Sequence, residues 1–167
     1  MRPITLGLAA LAAILATLAR ADEPQLPFLK EGLWESHIRQ TSKDQKAEHT
    51  VKMCQTIDTQ RLERAFSADL RQKNQCTYAL KHPSAAVYVS ENRCQAGALA
   101  GTLSKSTLTY RGDTSYHNEM HLLQNGSEKT TVTDASYLGP CPADMKPGDK
   151  IVDDSARFNI SDGQAPQ

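Results

Sequence analysis

Between Cys76 and Cys94 the chain reads CTYALKHPSAAVYVSENRC, two runs able to form strands on either side of Ala85 with a cysteine at each outer end. Folded about Ala85 as an antiparallel hairpin, this stretch sets Cys76 opposite Cys94. Directly opposed residues lie about 4.5–5.5 Å apart at Cα, a separation that a disulfide spans without moving the backbone. The expectation is a stapled β-hairpin, from which the rest of the fold can be reasoned outward.

The other cysteines are Cys54 and Cys141, and none falls before Cys54. Residues 1–21 carry Arg2, an apolar run from Ile4 to Ala19 and the small-residue pattern Ala19-Arg20-Ala21, which together read as a secretory signal peptide cleaved after Ala21. The run is short for a membrane span, so no span is expected once the leader is removed. An even cysteine count in an oxidising compartment reads as two bridges. With Cys76 assigned to Cys94, Cys54 falls to Cys141 by elimination. A zinc site or a catalytic thiol is the alternative use of these cysteines, and it is disfavoured because no C-x-x-C spacing occurs and no cysteine is left over.

Charge excludes one class of partner. Of 19 basic and 19 acidic residues, the leader removes Arg2 and Arg20, leaving 17 against 19. No basic field able to hold nucleic acid remains, and no block of like charge marks an interaction tail.

After an arm containing Pro24 and Pro27, Trp34, Ser36 and Ile38 alternate with Glu35, His37 and Arg39, the period of a half-buried strand. Thr50–Gln55 returns with Val51 and Met53 on one face, so Cys54 points to the other, and a bridge to Cys141 requires the C-terminal segment to cross the outside of the sheet. Asp58 to Asn74 reads as a helix: Asp58 as N-cap, Ile57 and Leu62 as a hydrophobic staple, and Leu62, Ala65, Phe66 and Leu70 as the stripe that packs on the sheet. Thr107–Tyr110 and Tyr116–Leu123 resume strand patterning. Asn125-Gly126 is a type I′ hairpin signal leading into Lys129–Tyr137. Gly139-Pro140-Cys141-Pro142 then ends the sheet. The expected fold is mainly β with one helix: a curled antiparallel sheet or small barrel of six or seven strands with two disulfides, in a single domain over residues 22–155, followed by a loose polar tail at 156–167. An immunoglobulin-like sandwich is the competing architecture. Against it, Trp34 precedes every cysteine, whereas that fold places its tryptophan between the bridged pair.

Gly32-Leu33-Trp34-Glu35 after the leader, Cys54 before a short helix, the paired Cys76 and Cys94, and Leu138-Gly139-Pro140-Cys141-Pro142 followed by Pro147-Gly148-Asp149 resemble a proteobacterial family of small exported proteins known only as a domain of unknown function. The resemblance runs over nearly the whole chain after the leader. It implies a periplasmic location and a shared fold, and it supplies no catalytic residue. One departure is Glu31, where the family usually carries proline.

The sharpest local chemistry is His117-x-Glu119-x-His121, because alternate residues of a strand share a face and two imidazoles spaced i, i+2 can share a metal ion. His37 or His49 would have to complete the set, and the competing reading is an ordinary solvated face. There is no G-x-S-x-G elbow, no phosphate-binding glycine loop and no recognisable nucleophile setting, so neither an enzyme nor a cofactor is expected. The leading expectation is a non-enzymatic exported domain that binds a small apolar or amphipathic ligand in the mouth of the curled sheet, with the helix closing one end. Metal handling through His117 and His121 is the alternative, as is a structural or interaction role in the cell envelope.

Overall fold

Period-two alternation carries most of the chain into strands. The computed structural model describes residues 25–162, so the leader at 1–21 and the last five residues of the tail lie outside the described residues. The strands are β1 (Gly32–Ser42), β2 (Lys46–Gln55), β3 (Cys76–Ser84), β4 (Val87–Cys94), β5 (Leu103–Tyr110), β6 (Ser115–Gln124), β7 (Ser127–Gly139), β8 (Asp149–Val152) and β9 (Ala156–Asn159), with one α-helix, α1 (Ile57–Lys73). They form one antiparallel sheet in the order β3-β4-β5-β6-β7-β1-β2-β8-β9. Its edges, β3 and β9, do not pair with each other, so the sheet is open. It is neither a closed barrel nor a two-sheet sandwich.

Nine strands replace the six or seven expected. The two additions, β8 and β9, are four residues each, too short for alternation to announce them, and they follow Pro140, Pro142 and Pro147, which read as the end of pairing. The chain instead passes the ends of β1 and β2 and adds β8 to the free edge of β2. As a result the region assigned to a loose tail contains β9 at Ala156–Asn159, paired with β8.

The stapled hairpin forms in the expected register, with Cys76 opposite Cys94 and one irregularity between Lys81 and Ser84 near the turn. Both disulfides are present, Cys54 with Cys141 and Cys76 with Cys94. Cys54 pairs with Leu33 while Met53 pairs with Trp34, so Cys54 faces away from Trp34 and the segment after β7 covers it, leaving it 1% exposed. At Asn125-Gly126 both residues have positive φ, 51° and 79°, the type I′ geometry that joins strands with their natural twist.

The curl of the sheet follows from the helix. At about 1.5 Å per residue α1 is about 26 Å long, whereas eight strand spacings of about 4.8 Å would spread a flat sheet over about 38 Å. Yet α1 contacts both β3, at one edge, and the 3₁₀ turn Ile160–Asp162 just beyond β9, at the other. A sheet whose two edges both reach a helix shorter than its own flat width has to bend around it. The core sits inside the bend, where Trp34, Met53 and Ala135 are all at most 5% exposed. Among the described residues no helix is long and apolar enough to cross a membrane.

Two expectations about α1 are corrected. Its N-cap is Thr56, not Asp58: Thr59 N donates to Thr56 Oγ1 at 3.3 Å and Thr56 N donates to Thr59 Oγ1 at 2.8 Å, a reciprocal capping box. Moving the cap shifts Ile57 to the first helical position, so the staple with Leu62 does not form. The departure at Glu31 has a use here, since its Oε1 accepts from Ile57 N at 2.9 Å, setting a negative charge at the positive end of the helix dipole. The second correction is larger. The stripe expected in the core faces outward, with Leu62 44%, Phe66 61% and Leu70 37% exposed. The sheet-facing side is polar.

Candidate functional site

Strand alternation assigns one face of the sheet to the inside of the curl. Trp34 lies opposite Met53 and Tyr137, Tyr116 opposite Ala135 and Tyr110, and Tyr88 opposite Leu108. These rows place aromatic rings in a chain across β1, β6, β5 and β4. Centroids of Trp34 and Tyr116 are 6.0 Å apart, Tyr116 and Tyr110 6.2 Å, and Tyr110 and Tyr88 5.7 Å, tilted or edge-on as ring quadrupoles favour. His82 stacks on Tyr88 at 4.1 Å. Burial, with the neighbouring Tyr116 phenol adding to it, pushes the Tyr110 hydroxyl up to about 12, and burial likewise raises Tyr116. Both phenols are therefore neutral at physiological pH.

Between this aromatic floor and α1 the curl is not filled. Two adjoining cavities, of about 290 and 520 Å³, share Leu26, Leu29, Leu80, Tyr78, Tyr110 and Tyr116 in their walls. The first continues along the floor past Tyr88, Leu108, Ser90, Ser106 and Asn118. The second opens under the helix, past Gln55, Gln60, Glu63, Arg64, Ser67 and Arg71. They form a groove with an apolar and tyrosine-rich floor and a polar roof.

The N-terminal arm makes the third wall. Leu29 N donates to Gln60 Oε1 at 2.7 Å, and Gln60 Nε2 donates back to Leu29 O at 3.0 Å, so one side chain satisfies both backbone groups of Leu29. Arg64 donates to Pro27 O at 2.8 Å, with its guanidinium 4.0 Å above the Phe28 ring. Trp34 Nε1 donates to Lys30 O at 2.7 Å. Because Gln60 is 6% exposed and sits at the start of the polar roof, the helix turns toward the sheet the side that can hold the arm.

One wall group stands out chemically. Gln55 is 9% exposed, its Nε2 reaches Met53 Sδ at 3.7 Å, and its Oε1 has no hydrogen-bond partner among the described residues. A buried amide oxygen left unpaired costs about 1–3 kcal/mol, and Gln55 is one of the residues around the cavity beneath α1. Sequence reading missed Gln55, since a glutamine ending a strand carries no motif. It also missed Arg64, Arg71 and the tyrosines as a group, because they come together only through the curl. The period-two pattern that put Tyr116 on the inner face was the available signal.

The histidines weighed as metal ligands, His37, His49, His117 and His121, do not line this groove. His117, Glu119 and His121 share the outer face of β6, as alternation requires, and His37 joins them through Asp134, which is opposite both His37 and His117. His49 pairs with Ile38 and belongs to the inner side. Each ring is engaged by a neighbour: His117 Nδ1 with Asp134 at 2.7 Å, His121 Nε2 with Glu119 at 2.8 Å, His37 Nε2 with Glu35 at 3.3 Å and His49 Nδ1 with Asp153 at 2.8 Å. Asp134 also accepts from Arg39 at 2.7 Å, and the His117 hydrogen bond, with this one in support, holds its carboxyl below the usual range. Among the described residues no three His, Cys, Asp or Glu side chains are grouped to hold a metal ion.

A single curled antiparallel sheet, stapled by two disulfides and roofed by one helix over a tyrosine-floored groove, is the class of protein that these features define. The chain belongs to the family described as protein of unknown function (DUF3617), whose model matches residues 29–141. That span runs from the arm at Leu29 through both disulfides and includes the aromatic floor and α1, while β8 and β9 lie beyond it. No curated protein matches the chain.

Proposed function

We propose that this protein is a non-enzymatic binding domain that works in an exported, periplasmic compartment and holds a small amphipathic ligand in the groove beneath α1. The observation that carries the reading is the groove itself, whose floor is leucines and tyrosines and whose roof is the polar side of α1, with buried Gln55 in its wall. Ligand sites combine apolar walls with a few placed polar groups, and their volumes run from about 300 to 1,000 Å³. The ligand lays apolar surface against Leu80, Leu108 and Tyr88 and turns its polar end to the roof of α1. Two disulfides support the oxidising compartment, and the leader at 1–21 supports export.

Native mass spectrometry of the protein purified from its own host tests the reading, together with titration of the neutral dye N-phenyl-1-naphthylamine. The expected results are a retained small molecule and saturable dye fluorescence, both lost when Leu108→Trp fills the floor. A protein that carries nothing, and whose dye response is weak or unchanged by Leu108→Trp, is not a groove binder.

A further inference from the structure

The groove has a sign as well as a shape. Of the charged side chains lining it, all on α1, Glu63 is neutralised by Lys150 of β8, whose Nζ donates to Glu63 Oε1 at 2.8 Å. Among the described residues Arg64 and Arg71 have no such partner. Arg64 donates one hydrogen bond to Pro27 O and lies 4.0 Å over Phe28, while Arg71 lies 4.5 Å over the Tyr78 ring. Neither has a carboxylate within salt-bridge distance among the described residues, although Arg61, Lys73 and Lys150 on the same two elements all do. Aromatic faces hold a guanidinium in place without neutralising it or using its in-plane N–H donors. Arg64 and Arg71 are seven residues apart on one helix, two turns or about 10 Å along the axis, and both border the same cavity.

From these observations we infer that the ligand is a single-chain amphiphilic anion, a fatty-acid-like carboxylate, whose head group is held by Arg64 and Arg71 and whose tail runs along Leu26, Leu29, Leu80 and Leu108. This rests on the groove-binding reading above and adds charge to it. A planar guanidinium presents paired donors that match a carboxylate, and partial enclosure by the arm and the floor strengthens the attraction over its value in open water. The occupant is a free amphiphile, since the apolar walls lie inside the curl, under the helix.

The test compares decanoate with decanol, the same chain with and without charge, as competitors of N-phenyl-1-naphthylamine on the full protein at about pH 8, where the carboxylic acid is ionised. Decanoate is expected to displace the dye at about tenfold lower concentration than decanol, a difference of ~1.4 kcal/mol, and added salt is expected to shrink that advantage. In Arg64→Gln/Arg71→Gln the advantage of decanoate over decanol, both measured on the same variant, disappears. Because Arg64 also holds the arm, Arg71→Gln alone is the second variant, expected to lose part of the advantage, with Arg71→Lys restoring some of it. Equal competition by decanoate and decanol in the wild type, or an advantage that survives both glutamine variants, overturns the anionic assignment and leaves the groove reading standing. Failure of the dye and of both competitors to bind overturns the two together.

Discussion

Lys150 of β8 and Glu63 of α1 meet at 2.8 Å across 87 residues of sequence, and the contact fixes which side of the helix faces the sheet. With Glu63, Gln60 and Arg64 turned inward to Lys150, Leu29 and Pro27, the leucine and phenylalanine stripe has to face out. Each inward contact satisfies a polar group near the groove, which an apolar roof could not do.

The orientation of α1 makes opposite forecasts for two neighbouring positions. Phe66→Ser removes a side chain that is mostly in solvent and is expected to change unfolding free energy by no more than about 0.5 kcal/mol. Gln60→Ala leaves Leu29 N and O without their partner and is expected to cost about 1–3 kcal/mol. Urea denaturation of the two variants measures both, and a larger loss at Phe66 would mean that the helix packs by its apolar face.

Asp149 links stability to acid. Arg157 at 2.8 Å, then Asn159 and the Lys146 N–H, hold its carboxyl down at about 2, below the ~3.9 of an unfolded chain. A depressed pKa contributes stability that is complete above about pH 4 and is lost as pH falls through about 2. Discounted for the half-exposed Arg157, the effect is roughly 1–2 kcal/mol. The gap in stability between wild type and Asp149→Asn is therefore expected to be widest near neutrality and to close between about pH 4 and pH 2, as read by thermal melts across that range.

The two disulfides differ in the loop each closes, 87 residues for Cys54–Cys141 and 18 for Cys76–Cys94. On the chain-entropy argument they restrict the unfolded state by about 4.6 and about 3.2 kcal/mol. Cys54→Ser/Cys141→Ser is expected to lower Tm further than Cys76→Ser/Cys94→Ser, the more so because the long bridge also anchors the segment that delivers β8 to the sheet. Calorimetry of the two double variants gives the ordering, and the reverse order would show the hairpin staple to be the more important restraint.

Trp34 is the only tryptophan and is 1% exposed. It sits on the strand that joins β2 to β7 and touches Tyr116 and Tyr137. Trp34→Ala is expected to cost about 3–5 kcal/mol, while Trp34→Phe keeps most of the packing and loses the hydrogen bond to Lys30 O. Equilibrium unfolding followed by far-ultraviolet circular dichroism checks both, since the intrinsic fluorophore is removed.

What the residues determined unaided was local. The register of Cys76 with Cys94, the Asn125-Gly126 turn, the inward set of Trp34, Met53 and Tyr116, and the outward turn of Cys54 all follow from period two and the φ preferences of one or two residues. The existence of α1 was legible from the helical spacing of Leu62, Ala65, Phe66 and Leu70, although a Thr-x-x-Thr box is a weaker marker than Asp58 and the cap was misplaced by two residues. Tertiary structure decided what depended on distant partners. The helix stripe suggested burial, but the partners that set its rotation, Leu29 and Lys150, lie 31 residues from Gln60 and 87 from Glu63. Strands β8 and β9 are too short to carry a period and exist because β2 left an edge to pair with. The groove is decided last of all, because Gln55, Arg71 and the four tyrosines become neighbours only when an open sheet bends around a helix too short to span it flat.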